Sequence, residues 1–94
     1  MKPEEEKAYH LVIQICYLKI NKAQKAYREI KSRKLGLTDD ETQGYLQKKA
    51  IQLARIMQFY YPVIIENKKK LKLATWGPDQ KVLHGINKML QNIN

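Results

Sequence analysis

Tyr9, Ile13, Cys16, Ile20, Ala23, Tyr27 and Ile30 follow one another at intervals of 4, 3, 4, 3, 4 and 3 residues. At about 3.6 residues per turn, that spacing holds one side of a helix against a neighbour. It predicts a first helix over about residues 3–34. Pro3 suits a first-turn position, where its missing N–H has no helical partner to lose. Glu4, Glu5 and Glu6 then meet the positive end of the helix dipole, and Lys31, Arg33 and Lys34 meet the negative end. Leu11, Ile15 and Leu18 form a second, shorter apolar stripe on the same helix. One helical neighbour cannot cover both stripes. Either a third helix or a second copy of the chain is expected there.

A second run repeats the pattern through Leu46, Ala50, Leu53, Met57, Tyr60 and Ile64, with Ala54, Ile56, Phe59 and Val63 widening the stripe. It predicts a helix over about 39–68, opened by a capping box from Thr38 to Glu41. Pro62 removes one backbone hydrogen bond, so a kink or restart is expected at that point. Gly77-Pro78-Asp79 signals a third start, and Val82, Leu83, Ile86, Met89, Leu90 and Ile93 give it one apolar face over about 78–92. No alternation of period two persists long enough for a strand. The fold class that follows is all-α within a single domain. Two long antiparallel helices turn near Gly36, a shorter C-terminal helix packs across them, and a homodimer completes the bundle.

Composition narrows the function more by exclusion than by signature. The chain has 94 residues, 44% of them apolar, and no apolar run approaches the roughly 18–20 residues of a membrane span. The acidic start does not resemble a targeting peptide, and one cysteine cannot close an internal disulfide, so a cytoplasmic location is expected. Cys16 sits within the first seam, where a thiol acts as a small hydrophobe. His10 and His84 stand far apart, with no spacing that would place two metal ligands on one helix face. No glycine-rich phosphate loop is present either. The reading is therefore of a protein that is not an enzyme and holds no cofactor or metal.

Charge is the unusual property. Lys and Arg number 18 against 9 Asp and Glu, a formal net charge of +9. Six of the nine acids fall in the two helix-start clusters, leaving Glu29, Glu66 and Asp79 among the cations elsewhere. Lys22, Lys25, Arg28, Lys31, Arg33 and Lys34 crowd the second half of the first helix, and Lys68, Lys69, Lys70 and Lys72 follow Pro62. Such tracts attract polyanions and release counterions on binding. The expectation is a basic helical protein that binds DNA or RNA through these ten residues, with Trp76 as a candidate base-stacking surface.

A helix-turn-helix around Ser32, Gly36, Leu37 and Thr42 is disfavoured, because its recognition helix would open on Asp39, Asp40 and Glu41. The alternative function is a helical protein-interaction module, of adaptor, inhibitor or immunity type. It would dock an acidic partner, with Leu11, Ile15 and Leu18 as a dimer or partner interface.

Overall fold

A computed structural model describes residues 1–34 and 40–93 of the chain. Helix α1 spans Pro3–Lys34, α2 spans Asp40–Lys70 and α3 spans Trp76–Ile93, with no strand among the described residues. The expected turn at Gly36, the Thr38 cap and the centre of the helix-turn-helix pattern lie outside the described residues. Gln24 donates to the Tyr61 hydroxyl at 3.2 Å, while Tyr17, earlier in α1, reaches Lys68, later in α2. The two long helices are therefore antiparallel. Gln58 donates to Asn87 at 2.7 Å and Lys68 pairs with Asp79, so α3 returns antiparallel to α2 and parallel to α1.

Helix α2 is the shared element. Its Ala54, Met57, Tyr61, Ile64 and Ile65 are buried between Ile13, Cys16, Ile20 and Ala23 of α1 and Leu83, Ile86 and Leu90 of α3. The α1 and α3 backbones nowhere bring Cα atoms within 8 Å of each other among the described residues. Two tyrosines span the gap instead: Tyr17 donates to Asp79 at 2.6 Å, and Tyr27 donates to the Met89 sulfur at 3.4 Å. The molecule is a slab of 56 × 21 × 16 Å, its long dimension set by α1, whose 32 residues run about 48 Å.

Three expectations need correction. Helix α2 is continuous through Pro62, so of the kink or restart expected there the restart does not occur. That proline is exposed, so its ring faces solvent rather than either neighbouring helix. Ile56 and Phe59 do not widen the core; they are exposed, and Tyr61 is buried where the seam had Tyr60, which is only half-buried. The cause is that α2 turns two adjacent faces inward, one toward each neighbour, which shifts its buried sector toward α3. Finally, α3 begins at Trp76 and not at Pro78.

The end of α2 explains the short connection to α3. Leu73 N–H donates to the Lys68 carbonyl at 2.9 Å and Lys72 N–H donates to the Lys69 carbonyl at 3.0 Å, the paired bonds of a Schellman cap. The cap needs a left-handed residue, and Lys72 takes that place with φ at 58°. Glycine normally fills it, because a Cβ is disfavoured there by about 1–2 kcal/mol. Lys72→Gly should therefore raise stability by about 1 kcal/mol, read as a higher midpoint in urea unfolding with an unchanged slope.

Candidate polyanion-binding surface

The lysine run after Pro62 divides into four environments. Lys68 is buried, with its ammonium 2.7 Å from Asp79 Oδ2 and 2.7 Å from the Tyr17 hydroxyl. It also donates toward the Thr75 carbonyl at 3.4 Å. Tyr17 donates in turn to Asp79 Oδ1, so three helices meet in a closed junction. No buried side-chain nitrogen or oxygen among the described residues lacks a partner. Burial pulls the Lys68 ammonium down from the ordinary lysine value, but its bonds to Asp79 and Tyr17 and the Asp79 charge outweigh that and carry it upward. Tyr17 is raised by burial first and by Asp79 second, and burial likewise raises Tyr61. As a phosphate contact, then, Lys68 is corrected: its charge is consumed inside the fold.

The neighbours of Lys68 point elsewhere. Lys69 lies over the Trp76 ring at 4.3 Å from its centroid, and Trp76 is half-buried against the core, so its ring already carries a stacked partner. Lys70 approaches Glu66 at 3.7 Å and the Tyr9 ring at 5.4 Å. Lys72 is exposed in the cap. Together these four lysines do not make one cationic patch.

Helix α1 is different. Lys19, Lys22, Lys25, Arg28 and Lys31 are exposed, and among the described residues none has a carboxylate within 4.0 Å. From Lys22 to Lys31 the charges recur every third residue, so they wind round the helix while advancing about 4.5 Å along its axis per step. Arg28 reaches the rim of a groove of about 330 Å³ between α1 and α3, lined also by Tyr27, Met57, Val82, Ile86 and Met89. Lys31 lies 5.8 Å from the centre of the Tyr27 ring. Arg33 and Lys34 belong to the last turn of α1, but their side chains lie outside the described residues.

The second stripe of α1 is also solvent-facing. Leu11, Ile15 and Leu18 are 56%, 46% and 65% exposed, so α3 does not cover them. Ile15 and Leu18 share a shallow depression with Lys19, Lys22 and Lys25. Among the described residues no three His, Cys, Asp or Glu side chains cluster as metal ligands, and no helix is long and apolar enough to cross a membrane. Cys16 is buried, and burial pushes its thiol up from the ordinary value. No family model, curated protein or solved structure matches this chain.

Sequence reasoning missed the junction, although two signals for it exist. Ala54, Met57, Tyr61, Ile64 and Lys68 follow intervals of 3, 4, 3 and 4, which carries Lys68 along the core seam; Asp79 is the only acid after Glu66. Removing that acid strands a buried ammonium, so Asp79→Ala should cost about 3–5 kcal/mol in denaturant unfolding. Lys68 and Tyr17 are both raised, so on the alkaline side the junction stays whole up to the ordinary tyrosine value of 10.0. Beyond it, its stabilisation should fade as pH climbs through the raised folded-state values, visible as a falling melting temperature in the alkaline range. In Asp79→Ala that alkaline fall should be shallower.

Proposed function

We propose that this chain is a non-enzymatic nucleic-acid-binding protein that contacts mainly the phosphate backbone through the exposed cations of α1. The observation that carries this reading is the tract from Lys22 to Lys31, open to solvent, with no carboxylate within ion-pair distance among the described residues. A rigid helix presents these charges at fixed intervals, and an ammonium or guanidinium in water needs little reorganisation to meet a phosphate. Nothing in such a tract reads base edges, so the binding is largely independent of sequence. Lys48, Lys49 and Arg55 on α2 add to the long-range positive field.

The second reading, a helical protein-interaction module for an acidic partner, is favoured by the exposed stripe of Leu11, Ile15 and Leu18. The two readings separate on salt. Affinity for a DNA duplex should fall with a log–log salt slope of about −3 to −4, as expected for the release of counterions from about four phosphates. Replacing Lys25, Arg28 and Lys31 by Gln should flatten that slope by about 2–3 and weaken all sequences alike, measured by fluorescence anisotropy. Absence of binding to any duplex or single strand at low ionic strength would overturn the nucleic-acid reading.

A further inference from the structure

The outer face of α1 carries a second seam, with a charge pattern of its own. Glu4, Ala8, Leu11, Ile15, Leu18 and Lys22 follow intervals of 4, 3, 4, 3 and 4, and all six are exposed. An apolar centre is thus closed by an acid at one end and a base at the other. Glu5, Val12 and Lys19 flank this seam on the side toward α2; Lys7, Gln14 and Asn21 flank it on the other side.

We propose that a second copy of this chain covers this face, with the two α1 helices antiparallel about a twofold axis beside Val12 and Gln14. In that register Leu11 packs against the partner's Ile15, and Ala8 packs against the partner's Leu18. Glu4 meets the partner's Lys22 and Glu5 meets the partner's Lys19, each twice by symmetry. On the flanks Val12 meets its own copy, Gln14 meets its own copy, and Lys7 meets the partner's Asn21. No like charges stand opposite. A parallel pairing would instead set Glu4 on Glu4 and Lys22 on Lys22, which antiparallel alignment avoids.

The exposed area agrees. A folded monomer of 11.1 kDa exposes about 5,700 Å², whereas this chain exposes 7088 Å², about 1,400 Å² more. A standard interface removes about 800 Å² from each partner, within that surplus. The face also continues past Lys19 and Lys22 to Leu53, Ile56 and Tyr60 of α2, which line one shallow groove with them. A foreign acidic partner would have no use for the acids at the start of the seam; a second copy uses both ends.

This assignment shares Lys22 with the nucleic-acid reading but does not rest on it, and it is tested without nucleic acid, by sedimentation equilibrium. The wild-type chain should sediment at twice its 11.1 kDa mass. Glu4→Lys and Lys22→Glu should each raise the dissociation constant by about tenfold or more, and the double variant should return it toward wild type. Both side chains are exposed, so circular dichroism should show the helices retained in all three variants, with at most fraying of the first turn of α1 where Glu4 serves the helix dipole. A wild-type chain that stays monomeric up to millimolar concentration, a dimer indifferent to both single reversals, or single defects without rescue would each overturn the proposal.

Discussion

One ammonium group taken out of water constrains the whole arrangement. Lys68 is held by Asp79 from α3 and Tyr17 from α1, each at 2.7 Å, and no two of the helices can complete that site alone. A buried charge without its partners is strongly destabilising, while a fully paired one contributes little net stability. The junction therefore acts as a register pin. It aligns the start of α3 with the last turns of α2, and it fixes how far α1 stands from α3. The gap between those two helices is bridged again by Tyr27 and Met89, ten residues further along each.

The junction also separates the lysines into two classes. Lys68 belongs to the interior; Lys69 and Lys70 are drawn against Trp76, Tyr9 and Glu66 at the same end of the slab. Lys22, Lys25 and Arg28 of α1 carry no such contact among the described residues, and they lie further along the helix from the junction. Structural use of charge is thus concentrated where the three helices meet, and displayed charge is concentrated on α1. The proposed polyanion surface and the proposed twofold seam share that helix but divide it. The apolar centre and its acids occupy the first half, the winding tract runs through the second, and Lys22 belongs to both.

Much of this architecture was legible in the spacing of apolar residues. The seam from Ile13 to Ala23 reappears as the buried side of α1, and the all-α class with antiparallel long helices follows from it. What periodicity could not supply was which of two adjacent faces of α2 turns inward. A helix serving two partners buries a sector wider than one stripe, so Tyr61 went in and Phe59 came out. Lys68 was misjudged because a run of four basic residues reads as a solvated end, although its heptad position aligns it with Ile64. Lys72 shows a related limit: its role in the helix cap depends on a left-handed backbone, which lysine does not advertise. The exposure of Leu11, Ile15 and Leu18 was half-legible, since the sequence left open whether α3 would cover them.

The division of lysines, among the described residues, into one interior ammonium and a solvent-facing remainder is most directly tested by nitrogen-edited NMR of the side-chain ammonium groups at neutral pH. Ammonium protons in water exchange too fast to be seen, whereas those held in a closed junction persist. A single persistent signal, lost in Lys68→Met and shifted in Tyr17→Phe, is the predicted result. No persistent signal, or one that survives the loss of Lys68, would contradict it.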